Sequence, residues 1–200
     1  MRFTPTLCLW LYAAFVCARP NVVLILCDDM GWADPGCYGS TQNVTPNIDR
    51  LAQEGLRFTS FYATQAVCTS SRTALMTGCY PNRLGLGGTA LGPNSKVGLS
   101  NDEQTLGTLL RDAGYHTGVV GKWHLGLGKT PTDYNGEIKP GPLDLGFDYN
   151  FIMAATGDRV PTVYIENRRV VGLDPKDPIT VSYKQKVGSD PTGKIGRAHV

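Results

Sequence analysis

The sequence predicts an α/β fold, a largely parallel sheet flanked by helices, and three observations carry that prediction. Short aliphatic runs alternate with stretches of helical periodicity. The first run is continuously apolar, as a strand buried on both faces must be. Gly, Pro, Ser or Thr punctuates the boundaries between them.

Residues 21–27, Asn-Val-Val-Leu-Ile-Leu-Cys, form that first run, too short for a typical helix and rich in branched side chains. Thr45-Pro46 then reads as an N-cap followed by a proline at the first helical position. Ile48, Leu51 and Ala52 share one face, and Gly55 stops the helix. Residues 56–62 read as a second strand. Ser100 is the expected cap of a helix carrying Leu106, Leu109, Leu110 and Ala113, which Gly114 ends, and residues 115–120 make a third strand. Residues 125–142, rich in Gly, Pro, Thr and Asp, read as a long surface loop. Residues 151–154 and 163–171 follow as later strands, the second turning at Asn167-Arg168.

The chain of 200 residues, 42% hydrophobic and 18% charged, has the make-up of one globular domain. A net charge of +2 supplies no basic stripe to offset phosphates, which excludes a nucleic-acid partner. Residues 1–18 differ from the rest: Arg2 gives a positive start, residues 7–16 are apolar, and Val16-Cys17-Ala18 ends in small residues. This is the grammar of a signal peptide, too short to cross a hydrocarbon core, and no later segment is apolar enough to span one. The mature product is therefore expected to be exported, to a periplasm, a lumen or the medium. Cys8 and Cys17 leave with the leader, while Cys27, Cys37, Cys68 and Cys79 remain without zinc-site spacing. Cys27 and Cys79 are expected to be buried thiols. The last six residues, Ile195 to Val200, read as a translated sequencing adapter, so residues 19–194 are taken as the protein proper and His199 is given no catalytic role. Of 19 Lys and Arg, Arg2 falls in the leader and Arg197 in the tail, which leaves 17 to balance 17 acids.

In an open parallel sheet, ligands gather beyond the carboxyl ends of the strands. Three polar clusters fall there: Asp28-Asp29 after the first strand, residues 68–72 after the second, and Lys122 with His124 after the third. Adjacent carboxylates repel unless donors or a cation compensate, and oxygen ligands suit Ca²⁺ or Mg²⁺; an aspartate capping the next turn is the simpler alternative. Residues 68–78 read as a loop entering a short helix closed by Gly78. Cys68 then lies at the helix N-terminus, where the dipole and Arg72 favour an anion. An ordinary helix with a small buried cysteine and Leu75 as its core contact fits equally. Three residues separate Cys68 from Arg72, where cysteine phosphatases place five. His116 and Trp123 stand where a Walker loop needs Gly and Ser or Thr. The glycines of residues 85–92 read as a flexible loop near the site.

Four ordered motifs carry a resemblance. Pro20-Asn21-Val22-Val23 leads to Asp28-Asp29-Met30-Gly31-Trp32; Thr45-Pro46-Asn47-Ile48-Asp49-Arg50-Leu51-Ala52 leads to Gly55-Leu56-Arg57-Phe58. Cys68-Thr69-Ser70-Ser71-Arg72 opens the run to Gly78, and Gly121-Lys122-Trp123-His124-Leu125-Gly126 follows. Together they resemble the type I, formylglycine-dependent sulfatases of the alkaline phosphatase superfamily, over about residues 20–151. The resemblance implies an alkaline phosphatase-like fold and hydrolysis of a sulfuric ester, on a sulfated small molecule or carbohydrate. It implies that a maturation enzyme oxidises Cys68 to formylglycine, whose hydrate attacks sulfur while a divalent cation, usually Ca²⁺, holds the sulfate oxygens. Asp28, Asp29 and the modified Cys68 would be metal ligands. Arg72 would hold the modified residue, Lys122 would contact sulfate and nucleophile, and His124 would aid sulfate binding or proton transfer. Thr156 would replace a hydroxyl-bearing substrate contact found in relatives. Two departures accompany it: Ser70 occupies a position where maturation enzymes favour Pro or Ala, and the family's later metal and sulfate ligands lie beyond the sequence, so the fragment alone is expected to be inactive. Two alternatives remain at this level, a phosphate or phosphonate ester hydrolase of the same superfamily and a non-catalytic homologue acting as a binding scaffold.

Overall fold

The computed structural model of the chain describes residues 19–128 and 131–182, and these fall into two compact units that meet between Arg57 and Phe58. The leader at residues 1–18, the tail at 195–200 and His199 lie outside the described residues. No helix among the described residues is long and apolar enough to cross a membrane.

In the first unit, helix α1 (Pro46–Glu54) starts on its proline and ends at Gly55 as the sequence predicts. Thr45 does not cap it. Its hydroxyl instead accepts the Gly36 amide at 2.7 Å and donates to Asp49 Oδ1 at 3.0 Å, and the same carboxylate oxygen accepts the Cys37 amide at 2.7 Å. These bonds fasten a short 3-10 turn, Gly36–Tyr38, to the helix. A Cβ on Gly36 would lie 2.7 Å from Asp49 Oδ2, so the turn needs glycine there. Arg57 closes the unit by donating to the Cys37 carbonyl while its guanidinium lies 5.6 Å from the Tyr38 ring centre.

The expected first strand is absent: residues 21–27 join no ladder, and Val23 and Ile25 are 80% and 76% exposed. Residues 56–62 likewise form no strand, and Leu56, Phe58, Phe61 and Tyr62 are exposed. A strand exists only as part of a ladder, and among the described residues neither segment finds a neighbour to pair with. Cys27 is exposed and Cys79 half-buried, not the buried thiols expected, and the four described cysteines are free.

The second unit contains a four-stranded sheet in the order β1 (Gly118–Lys122), β2 (Tyr149–Met153), β3 (Tyr164–Glu166), β4 (Arg169–Val170). Strands β1 and β2 run parallel, with Val119 opposite Asn150 and Lys122 opposite Met153; the other two pairings are antiparallel. The sheet is thus mixed. The antiparallel pairing of β3 with β4 follows from chain length: only Asn167 and Arg168 separate them, room for a hairpin and not for a crossover. Asn167 supplies the left-handed turn residue at φ 53°.

One face of the sheet, with Asn150, Ile152, Ile165 and Val170, is buried against Leu86, Leu91, Leu99, Trp123, Leu125, Leu127, Tyr134, Ile138 and Leu145. Much of that cover comes from the described residues of the expected surface loop at 125–142, whose Leu125, Leu127, Tyr134 and Ile138 turn inward while Pro131, Asp133, Asn135, Glu137 and Lys139 stay exposed. Its inward side can be buried because its backbone is paired: Gly128 N–H donates to the Pro140 carbonyl at 2.7 Å and Ile138 N–H to that of Arg168 at 2.8 Å. The Tyr134 hydroxyl reaches the Pro93 carbonyl at 2.8 Å.

Helix α3 (Leu106–Asp112) is capped by Thr105, not by Ser100. The Thr105 hydroxyl accepts the Thr108 amide at 3.1 Å and donates to the Leu145 carbonyl at 2.6 Å, seating the helix on residues 145–146. Ser100 only turns back on Asp102. Gly146, at φ 94°, sits against the first turn of α3, where a Cβ would come within 2.1 Å of the Thr108 nitrogen.

Candidate active site

Helix α2 (Cys68–Thr77) begins on Cys68 and is closed by Gly78 at φ 67°, as its sequence predicts. Its inner face is not the apolar stripe that a core helix normally presents. Thr69, Ser70 and Thr73 are completely buried with Ala74, while Leu75, the expected core contact, is 37% exposed. Three buried hydroxyls are tolerable only if each is bonded, and each is. Thr73 donates to the Thr69 carbonyl at 2.8 Å and Ser70 to that of Leu86 at 2.7 Å. Thr69 donates to the His124 carbonyl at 2.8 Å and accepts the Leu91 amide at 3.0 Å.

The carboxyl end of β1 meets this helix. Arg72 Nη1 donates to the Lys122 carbonyl at 2.6 Å. Beyond Lys122 the strand turns: the Trp123 and His124 amides continue the parallel ladder to Met153 and Ala154, and His124 takes a left-handed φ of 60°. Cys68 at the helix start, Arg72 one turn on, Lys122 at the strand end and His124 two residues later are thereby joined into one framework within the second unit. Residues 85–92 belong to it as well. Leu86 and Leu91 are buried and their backbones bond to Ser70 and Thr69, so this segment is anchored rather than flexible.

His124 is 1% exposed. Its Nε2 lies 2.6 Å from the Leu91 carbonyl, which can only accept, so Nε2 carries the proton. Burial pushes its pKa below the ordinary value; the bond to Leu91 opposes this, and the positive charges of Lys122, Arg159 and Arg72 reinforce it. The imidazole is therefore held neutral with a bare Nδ1, a buried atom without a hydrogen-bond partner. Thr156, just past β2, likewise has a buried hydroxyl without a partner.

Asp28 and Asp29 belong to the first unit, where both are exposed and Asp29 takes a left-handed φ of 56°. Neighbouring exposed carboxylates present hard oxygen donors, the chemistry a Ca²⁺ or Mg²⁺ ion requires.

Sequence reasoning passed over Thr69, the Leu91 carbonyl and Arg159. A backbone carbonyl leaves no mark in composition, and Thr69 is visible only once its helix is docked. Arg159 could have been marked, since it follows the fourth predicted strand by five residues, at the end where ligands gather.

The sulfatase family model matches residues 20–168. An N-acetylgalactosamine-6-O-sulfatase from Bacteroides thetaiotaomicron is 54% identical over 177 residues, 88% of this chain and 34% of its own length. Human arylsulfatase A is 50% identical over 124 residues, 62% of this chain and 24% of its own. Among solved structures, one from Bacteroides thetaiotaomicron, concerned with the metabolism of multiple glycosaminoglycans, superposes with a TM-score of 0.76 at 52% identity, over 82% of this chain and 34% of that one. The structure of Ps i-CgsB in complex with k-i-k-neocarrahexaose superposes with a TM-score of 0.57 at 38% identity, over 66% and 27%. The chain spans about a third of the length of the first of these relatives.

Proposed function

The chain belongs to the sulfatase family, and from that premise we propose that the protein hydrolyses sulfate esters of a carbohydrate, with position 68 as the nucleophile. The observation that supports this most directly is the fastening of the Cys68 helix to the end of β1, by Arg72 to the Lys122 carbonyl and by Thr69 to that of His124. It sets the cysteine, a cation and a neutral imidazole on one rigid frame. Oxidation of Cys68 to formylglycine by a maturation enzyme supplies the hydrate that attacks sulfur. Asp28, Asp29 and the oxidised position 68 would each offer an oxygen ligand to a divalent cation, Ca²⁺ or Mg²⁺, whose charge would offset that on the sulfate oxygens.

The chain's own residues do the rest. Lys122 contributes its ammonium to the charge that develops on the sulfuryl group, and Arg72 fixes the strand end that carries Lys122. His124, neutral and with Nδ1 unprotonated, accepts a proton from the nucleophile and then passes that proton to the departing alcohol. Ser70, which stands where maturation enzymes favour Pro or Ala, spends its hydroxyl in the folded chain on the Leu86 carbonyl. The relatives named for N-acetylgalactosamine-6-sulfate hydrolysis make a 6-O-sulfated N-acetylgalactosamine the first substrate to test. Export through the leader at residues 1–18 agrees with a substrate outside the cytoplasm.

The test is sulfate release by the full-length protein coexpressed with a maturation enzyme, alongside mass spectrometry of the peptide containing Cys68. Formylglycine at position 68 and at least a thousandfold loss in Cys68→Ala are expected, on the order of what removing a nucleophile costs. Undiminished turnover by Cys68→Ala would sink the reading.

A further inference from the structure

We propose that Arg159 is a positioning residue for His124, acting through the Leu91 carbonyl that both side chains share. Arg159 sits on the turn that follows β2, its amide bonded to the Thr156 carbonyl at 3.1 Å. From there its guanidinium reaches back 68 residues: Nη1 donates to the carbonyls of Leu91 and Ala90, each at 3.3 Å. The Leu91 carbonyl also receives His124 Nε2 at 2.6 Å, and the Leu91 amide is held by Thr69 at 3.0 Å. The backbone of Leu91 is thus held on both sides of its Cα, at the amide by helix α2 and at the carbonyl by Arg159.

A carbonyl oxygen has two lone pairs, so it can serve both donors at once. The guanidinium bond fixes the orientation of the oxygen, and an oriented carbonyl admits only one state of the buried imidazole, with the proton on Nε2. That leaves Nδ1 as the open acceptor. The charge on Arg159 acts in the same sense, since a cation near the ring, added to those of Lys122 and Arg72, opposes its protonation. Removing the guanidinium frees the Leu91 carbonyl to tilt and lets the ring flip or take up the other tautomer. The inference rests on the reading of His124 as a site residue for its functional meaning, but its physical content is the state of the ring.

That state can be read directly by imidazole nitrogen NMR on the full chain, independently of any sulfatase activity. Wild type is expected to show His124 as a single neutral tautomer with Nδ1 unprotonated. Arg159→Gln, which removes the charge and shortens the reach, is expected to give a mixture of tautomers, and Arg159→Lys to restore most of the single state. His116, whose side chain is fully exposed, serves as the internal reference and should not change. Wild-type His124 with its proton on Nδ1 overturns the proposal without any variant, as does an unaltered single tautomer in Arg159→Gln. Should Arg159→Gln fail to fold, Arg159→Met, which keeps the apolar stem and removes donor and charge, takes its place: a mixture of tautomers supports positioning, and an unaltered single tautomer overturns it. A single tautomer of the expected kind in a full-length protein without sulfate-ester activity would leave the positioning intact and remove the functional reading.

Discussion

Thr69 does more in this structure than its residue type suggests. One buried hydroxyl gives a proton to the backbone of one site segment and takes a proton from another. Thr69→Val keeps the shape and leaves a buried carbonyl and a buried amide without partners, at a cost of about 1–3 kcal/mol for each. Urea denaturation should show that loss, and the Val variant should fare worse than Ser, which keeps the hydroxyl. His124 makes a second prediction. Its folded pKa is depressed by burial, so below the unfolded value near 6.5 the unfolded chain binds a proton that the folded chain resists. Stability from this group is complete above that value and falls as pH drops towards the folded pKa. Urea midpoints measured from pH 7.5 to 5 should decline in wild type and decline less in His124→Gln. At this scale the sequence was legible where side-chain type marks a candidate: Cys68 and Arg72 lie on a helix, and Lys122 and His124 at a strand end, that two side-chain hydrogen bonds join. What it could not show was Leu91, whose contribution is its backbone amide and carbonyl.

Elements were legible where a local signal decides them. Helix α2 runs from Cys68 to the residue before Gly78, and α1 runs from Pro46 to the residue before Gly55, because proline and glycine act on their own backbone. Caps were less legible, since Ser100 and Thr105 are both chemically able to cap and only docking chooses. Thr105 wins because the Leu145 carbonyl needs a donor at the same place. Thr105→Ala should therefore cost about 1–3 kcal/mol, combining a lost cap with an unsatisfied carbonyl, whereas Ser100→Ala should stay within about 0.5 kcal/mol. Equilibrium unfolding of the two variants side by side checks the contrast. The runs at 21–27 and 56–62 were misjudged for a different reason. Hydrophobic, branched composition states that a segment suits a sheet, but pairing is a property of two segments, and no composition reports the second.

For the molecule as a whole, alternation of strand and helix pointed to the right class, and the solved sulfatases that superpose on the chain bear out an α/β sheet flanked by helices. The unexpected part is how much of the interior is irregular. Among the described residues, 86–99, 123–128 and 131–138 contribute Leu86, Leu91, Leu99, Trp123, Leu125, Leu127, Tyr134 and Ile138 to the core without a helix or strand. Glycine permits this where backbones touch: Gly98 and Gly126 approach so closely that a Cβ on Gly126 would lie 2.6 Å from the Gly98 Cα. Beside them, the Leu99 amide bonds to the Leu125 carbonyl at 2.8 Å.

The double anchoring of Leu91 and Leu99 bears on how this region opens in time. Amides in segments without regular structure ordinarily trade their hydrogens with solvent within seconds, but these two can do so only when the Thr69 contact or the Leu125 contact breaks. Their exchange should then keep pace with that of β2, orders of magnitude slower than that of the exposed amides of residues 21–26. In deuterium uptake followed by mass spectrometry, peptides spanning 89–99 are expected to label with the sheet; rapid labelling there would show that the segment breathes independently of it.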